Sequence, residues 1–140
     1  RRLVRQISIL PEAAVARHTG GVTAMHDVTE GGVATAITEL SCAGGHHIDI
    51  HLDRIPILPQ TANVCRLLDI HPLGLIGSGS LLIVCRPETV DILMRTLEDE
   101  GIAVAYIGEM KGPGQGVTAH RNNTRVTWPE FEVDEITRLF

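Results

Sequence analysis

The stretch that decides the fold is His26–Leu40, "HDVTEGGVATAITEL", in which two carboxylates, a hydroxyl and two glycines precede an apolar run. Val33, Ile37 and Leu40 recur at the spacing of one helix face. The preceding residues, "GVTAM", are typical of a strand. The stretch therefore predicts a strand, a short polar loop and a helix over residues 32–43.

Strand patterns follow this helix. "HHIDIHL" alternates and predicts a strand with Ile48, Ile50 and Leu52 facing inward. The continuous apolar run "SLLIVCR" predicts a central strand that is buried on both faces, and "IAVAYIG" predicts another strand. Residues 111–116, "KGPGQG", predict a flexible, hairpin-type connection to a strand in "GVTAHR".

Helices are predicted between these strands, over residues 11–18, 60–68 and 88–100, and a terminal helical turn is predicted over 134–140. Helices and strands are therefore interleaved along the whole chain. This order predicts an α/β or α+β fold, that is, a mixed β-sheet flanked by helices.

The composition limits the class of protein. The chain has 140 residues, of which 44% are hydrophobic and 3% aromatic, and this suits one domain with an aliphatic core. A net charge of −5 without a dense Lys/Arg block argues against nucleic-acid binding. The apolar stretches are too short for a membrane span, and no small-residue cleavage site follows "RRLVRQISIL". Because Cys42, Cys65 and Cys85 are odd in number and widely spaced, we expect buried, reduced thiols in a cytoplasmic protein.

The polar loop has two interpretations. In the first, it is a helix cap. Asp27 and Glu30 are three residues apart, which is the spacing of a capping box, and Thr29 could cap the helix instead. Such a cap contributes about 1 kcal/mol and requires no ligand.

In the second interpretation, the same loop binds phosphate and metal. A Gly-Gly turn that opens a helix directs free backbone N–H groups and the positive end of the helix dipole toward one point. Gly31 and Gly32 would let phosphates approach the backbone closely. The carboxylates of Asp27 and Glu30 would repel a phosphate. The site is therefore electrostatically reasonable only if Mg²⁺ lies between carboxylate and phosphate, held by Asp27 and phosphate oxygens. This interpretation therefore predicts metal and nucleotide together, or neither.

Four segments, "AMHDVTEGGVATAITELS", "LIGSGSLLIVCRPE", "GIAVAYIGEM" and "DEITRLF", resemble in this order the carboxy-terminal domain of the AIR synthase-related superfamily. This superfamily includes AIR synthase, thiamine-monophosphate kinase, selenophosphate synthetase and the hydrogenase-maturation protein that dehydrates a carbamoyl group. The segment "HDVTEGG" most resembles the hydrogenase-maturation branch. We therefore expect residues 1–140 to form a single domain of this type, with residues 1–20 as linker and first helix.

The resemblance implies one half of a two-domain, ATP-dependent enzyme. The amino-terminal half would form the homodimer and most of the nucleotide site, and ATP would lie in the cleft between the halves. This chain, the second half, would be inactive alone. Its expected partners are its own N-terminal domain, a second copy of the protein and another maturation protein. The expected chemistry is phosphorylation of an oxygen by ATP with release of ADP.

Carried over by position, the resemblance implies roles for four residues. Thr29, Gly31 and Gly32 would line the ATP phosphates. Asp27 would be catalytic and would position Mg²⁺ or phosphate. A separate candidate is His26, which directly precedes Asp27: it would contact the substrate or move a proton, or else it packs at the strand end and orients Asp27.

The sequence departs from the hydrogenase-maturation branch in two places. That branch has a reactive cysteine on a carboxy-terminal tail, whereas this sequence ends in "EITRLF". Glu30 stands where the branch usually has arginine. Either this sequence is cut short, or this is a relative with a different substrate. The alternatives are a small-molecule kinase of the thiamine-monophosphate kinase type, whose loop usually reads Asp-x-Ser-Asp-Gly, and a non-catalytic protein-interaction module on the same fold.

Two further groups could bind ligands. His47, Asp49 and His51 share one strand face and would form a surface metal site if another ligand folded over them. Residues 77–80, "GSGS", resemble a phosphate loop but lack the Lys-Ser/Thr of a P-loop and precede a strand, so they predict a tight turn.

Overall fold

The structure, a computed structural model, describes residues 7–140, so the first six residues of the expected linker lie outside the described part. Four α-helices and six β-strands occur in the described residues: α1 (Leu10–Thr19), β1 (Val22–Asp27), α2 (Gly32–Gly44), β2 (His46–His51), α3 (Pro59–Leu68), β3 (Leu81–Cys85), α4 (Val90–Asp99), β4 (Gly108–Pro113), β5 (Val117–Arg121) and β6 (Thr124–Val126). Within residues 7–140, no helix is both long and apolar enough to cross a membrane.

The chain divides into two compact units. The first contains the described residues up to Val28 together with Ser78–Ala105, and the second contains Thr29–Gly77 and Tyr106–Phe140. The chain passes from the first unit to the second within the segment "HDVTEGG".

The four predicted helices are confirmed, because each depends on local signals, either the spacing of apolar residues or the residues that begin and end a helix.

In the first unit, α1 and α4 pack with a two-stranded antiparallel sheet of β1 and β3. Its core consists of Ala16, Leu93 and Leu97, which are 5% exposed or less. The prediction that "SLLIVCR" is a central strand is wrong: in the described residues β3 pairs with β1 alone, and all its residues are half-buried. An apolar run indicates burial but does not reveal how many strands lie beside it.

The second unit contains a four-stranded sheet in the order β4-β2-β5-β6. Strands β2 and β5 are parallel, and the other pairs are antiparallel. Helix α2 packs on β2 and β5, and the buried side chains of these strands are Ile48, Ile50 and Ala119. This sheet confirms the predicted fold class, a mixed β-sheet flanked by helices.

Three predictions around this sheet are wrong. Residues 102–107 of "IAVAYIG" are not in a strand, and β4 begins at Gly108 and includes the first residues of the predicted loop. A Cβ at Gly108 would lie 2.1 Å from the carbonyl oxygen of Asp49, so the close pairing starts where no side chain intervenes. The expected hairpin is absent because β2 lies between β4 and β5. Leu52 belongs to a 3₁₀ turn, Leu52–Arg54, rather than to β2.

The cysteines do not all match the expectation of buried thiols. Cys65 is buried and Cys85 is half-buried, whereas Cys42 is exposed near the end of α2. Burial raises the pKa of the Cys65 and Cys85 thiols above the usual value. The prediction is wrong for Cys42 because this residue lies in the exposed last turn of α2, together with Ala43 and Gly44, so apolar neighbours in the sequence did not imply burial.

We expect iodoacetamide to alkylate Cys42 of the native protein more than about tenfold faster than Cys65, because the reactive thiolate must be both formed and accessible. Peptide mass spectrometry over a time course measures both rates. In urea the two rates should converge, which controls for the intrinsic reactivity of each peptide. Equal rates in the native protein would contradict the observed burial.

Candidate functional site

The predicted site begins at the end of β1. Asp27 is the last residue of this strand, and its side chain is 60% exposed. His26 donates a hydrogen bond from Nδ1 to the Asp27 carbonyl oxygen at 2.6 Å, and the same nitrogen lies 3.9 Å from Asp27 Oδ1. His26 is therefore positioned against Asp27, whose carboxylate extends into solvent.

The capping-box interpretation is wrong. Helix α2 begins at Gly32, and its N-cap is Gly31 in the left-handed conformation, without a side-chain cap. Asp27 and Thr29 lie too far upstream to occupy that position. The acceptor comes instead from the far end of the chain: the Gly31 N–H donates to Asp134 Oδ2 at 3.0 Å. Thr29 and Glu30 are exposed.

The two glycines are required by the packing of the chain. Gly32 has φ +66°, and a Cβ there would lie 2.4 Å from the Leu73 carbonyl oxygen and 2.5 Å from that of Leu75. Gly31 has φ +74°, and a Cβ there would lie 2.3 Å from Thr35 Oγ1. The chain's own atoms thus occupy the space left by the absent side chains. Close approach of a phosphate to Gly31 and Gly32 remains a prediction.

Two buried carboxylates that the sequence analysis did not single out lie beside this turn. Asp134 and Glu135 are 8% and 6% exposed. Asp134 also accepts the Ile136 N–H through Oδ1 at 3.0 Å. Glu135 Oε2 accepts the His71 N–H at 2.7 Å and forms an ion pair with Arg138 Nη1 at 2.9 Å. In the sequence these two residues are an acidic pair at the start of "DEITRLF", one of the segments that carry the family resemblance, but no spacing pattern indicates a role for either.

His71 lies between Glu135 and the turn of residues 72–75, whose backbone lies against Gly32. Its Nδ1 accepts the Leu73 N–H at 3.2 Å, so this nitrogen is unprotonated. Its ring lies 5.4 Å from the ring of Phe131. Burial lowers the pKa of His71, and the opposing effect of the Glu135 carboxylate is smaller. The geometry and the pKa both favour neutral His71.

We expect the melting temperature to decrease as the pH falls below about 6.5, partly through His71. The pKa of His71 is depressed in the folded state, so its contribution is present above the unfolded pKa and is lost as the pH falls. In addition, protonation removes the acceptor of the Leu73 N–H.

The matched control is His71→Asn, since an Asn side chain can accept the same N–H at all pH values. Between about pH 7.5 and about pH 5.5, the wild type should lose about 2 °C or more beyond the loss of the variant. Thermal melts across this range measure the difference. Parallel curves would show that another group is responsible.

The residues described here do not contain a group of three or more His, Cys, Asp or Glu that could hold a metal. The interpretation of His47, Asp49 and His51 as a metal site is therefore not supported. Lys111 Nζ lies 3.9 Å from Asp49 Oδ2, and His47 Nε2 lies 2.8 Å from Thr118 Oγ1, so this face already contains polar contacts. Asp27 remains the candidate for metal positioning.

Residues 2–120 match the family described as AIR synthase related protein, C-terminal domain. Carbamoyl dehydratase HypE of Cupriavidus necator is 32% identical over 97 residues, covering 68% of this chain and 28% of that protein. Carbamoyl dehydratase HypE of Escherichia coli K12 is 30% identical over 111 residues, covering 77% of this chain and 33% of that protein. The chain therefore spans about a third of the length of these curated relatives.

Solved structures have the same fold. The crystal structure of E. coli HypE, a hydrogenase maturation protein, has a TM-score of 0.80 and 26% identity, over 94% of this chain and 42% of that one. A HypE in complex with ATP has a TM-score of 0.73 and 21% identity, and the match covers 81% of this chain and 37% of that chain. A crystal structure of a HypE–HypF complex has a TM-score of 0.74 and 21% identity, and the match covers 86% of this chain and 41% of that chain.

The last two likenesses show the fold alone. The family match extends over most of the chain, and the relatives named above are hydrogenase maturation proteins of the same superfamily. The chain therefore belongs to the AIR synthase related family and corresponds to its C-terminal domain.

Proposed function

We propose that residues 1–140 form one domain, the C-terminal half of a two-domain ATP-dependent enzyme close to the HypE hydrogenase maturation proteins. In this proposal, the segment "HDVTEGG" forms one wall of the ATP phosphate cleft, and the domain alone is inactive. The observation that supports it is the position of this segment, between the end of β1 and the first turn of α2, in a chain with the fold of a HypE solved with ATP.

The start of α2 fits a phosphate. The first-turn N–H groups of a helix lack intrahelical acceptors, and the helix dipole favours negative charge there. The Gly31 amide is already bonded to Asp134, so the amides of Val33 and Ala34 are the donors that we assign to phosphate oxygens. Thr29 is exposed and would add a hydroxyl donor. Gly31 and Gly32 would contribute mainly the backbone conformation that presents these groups.

Asp27 fits magnesium. Mg²⁺ usually keeps several waters and binds one or two carboxylates together with substrate phosphates. A single carboxylate that is 60% exposed is suited to that role, whereas the described residues offer no site built from protein ligands alone. Bound Mg²⁺ with ATP would supply the phosphoryl group and neutralise its charge. Asp27 would position the ion, and His26, held against Asp27, would contact the substrate.

The proposed partners follow from the relatives. The chain spans only part of the HypE proteins, so we assign to it an N-terminal domain of its own and, through that domain, a homodimer. A HypE has been solved in complex with HypF, and we propose that another maturation protein likewise binds this one. We propose a cytoplasmic location for these complexes.

The test is ADP release by the longer protein, compared with residues 1–140 alone, in the presence of candidate substrates. We expect ATP-dependent turnover by the longer protein and none by the isolated domain, which should bind nucleotide more weakly than micromolar in a calorimetric titration. Turnover specific to thiamine monophosphate would favour the small-molecule kinase. If the longer protein releases no ADP with any candidate substrate, a non-catalytic interaction module becomes the better explanation.

A further inference from the structure

The turn between Gly31 and Gly32 is held by contacts from outside it. Both glycines are in the left-handed region, at φ +74° and +66°. A free glycine pair samples many conformations, so two successive left-handed residues need external contacts to remain fixed. The one side chain that bonds the Gly31 N–H is Asp134, which is 103 residues away in sequence.

Asp134 is suited to holding this turn. Its two carboxylate oxygens accept different amides: Oδ2 accepts the Gly31 N–H and Oδ1 accepts the Ile136 N–H, each at 3.0 Å. The carboxylate is buried, and its bond to Gly31 is shielded from water. An uncharged side chain of the same shape could accept only one of these two amides.

Glu135 fixes the other side of Gly32. It accepts the His71 N–H at 2.7 Å, and His71 in turn bonds Leu73, whose carbonyl oxygen lies against Gly32. A Cβ at Gly74 would lie 2.7 Å from Glu135 Cγ, so the C-terminal segment packs directly on this turn. Asp134 therefore contacts Gly31 directly, and Glu135 acts on Gly32 through residues 71–75.

We propose that Asp134 and Glu135 are positioning residues that set the Gly31–Gly32 turn in the conformation that binds nucleotide phosphates. The assignment of phosphates to this turn rests on the proposed function. It follows that the C-terminal segment 134–139 and the phosphate site are coupled: a ligand that stabilises the turn also stabilises the attachment of the segment, and the reverse holds equally.

The test is Asp134→Asn in the longer protein, with Glu132→Gln as the matched control. Glu132 is an exposed carboxylate two residues away. In the Asn variant we expect the KM for ATP to rise about tenfold, the effect of losing one hydrogen bond to a charged group. The kcat should change by less than about twofold, because the turn binds ground state and transition state alike. A residue that only stabilises the fold would leave KM unchanged in the molecules that remain folded.

Hydrogen exchange separates this proposal from the proposed function. In Asp134→Asn without nucleotide, exchange of the amides in residues 29–34 should accelerate about tenfold or more, while exchange in α4 stays unchanged. This outcome supports the positioning role even if the wild type never turns over ATP. Unchanged exchange in residues 29–34, or acceleration across both units alike, overturns it.

A second measurement requires no variant, so it applies even if Asp134→Asn fails to fold. Adding Mg²⁺ with ATP to the wild-type longer protein should slow exchange within residues 134–139. If nucleotide binds, as calorimetry would show, and exchange in this segment does not change, the coupling is overturned.

Discussion

Replacing Asp27 by Asn in the longer protein is expected to slow ADP release at least about a hundredfold, the usual effect of removing a charged group that positions a metal or a developing charge. The melting temperature should change by less than about 3 °C. Stability should be preserved because the Asp27 side chain is 60% exposed, and its nearest ion-pair partner, His26, is 3.9 Å away. Measuring turnover and thermal melts on the same preparations distinguishes a functional role from a structural one.

Glu30→Gln is the matched control, since Glu30 is another exposed carboxylate of the same segment. It should retain full activity, and loss of its negative charge should help rather than hinder phosphate binding. Two results would contradict the assignment of Asp27. One is wild-type turnover in Asp27→Asn, and the other is an early melt in which the surviving folded fraction turns over normally.

Local patterns in the sequence predicted the local structure well. The spacing of Val33, Ile37 and Leu40 predicted α2, and alternation in "HHIDIHL" placed Ile48 and Ile50 in the core. Both patterns depend on residues a few positions apart, and on a period that the backbone geometry imposes. The family resemblance then supplied the overall fold, which the comparisons confirm.

Pairing between distant segments was not predictable in the same way. Whether β2 or another strand lies next to β4 depends on packing across the whole unit, and the apolar run of β3 is compatible with a central or a peripheral strand. The start of β4 is determined by the close approach of Gly108 to Asp49, which are distant in sequence. A single sequence contains no periodic signal for such contacts.

The candidate site shows the same limit. The sequence located the segment from His26 to Gly32 and offered two explanations for it, a side-chain cap or a ligand site. The structure excludes the side-chain cap from within the segment, because Gly31 is the N-cap and its amide bonds Asp134. That acceptor follows from the fold, and the adjacent acids Asp134 and Glu135 have no spacing pattern that would reveal their partners.

Gly32→Ala is expected to destabilise the protein by about 3 kcal/mol or more. About 1 kcal/mol arises from the left-handed φ, which disfavours any side chain, and the remainder from a Cβ forced against backbone. The atoms it would meet are the carbonyl oxygens of Leu73 and Leu75, at 2.4 and 2.5 Å. Because these belong to the backbone of a packed turn, they cannot move aside as a flexible side chain would. Urea unfolding of the 140-residue chain, followed by fluorescence of its single tryptophan, Trp128, measures the loss.

Gly45→Ala is the control that separates the two causes. Gly45 caps the other end of the same helix with the same φ of +66°, but a Cβ there would meet nothing within 4 Å. This variant should therefore lose only about 1 kcal/mol, the contribution of the backbone conformation. Trp128 donates to Thr38 on α2, so its fluorescence reports on this helix in both variants. Equal losses would mean that residues 73–75 can move away from Gly32; the Gly31–Gly32 turn that we assign to the phosphate site would then be loosely packed.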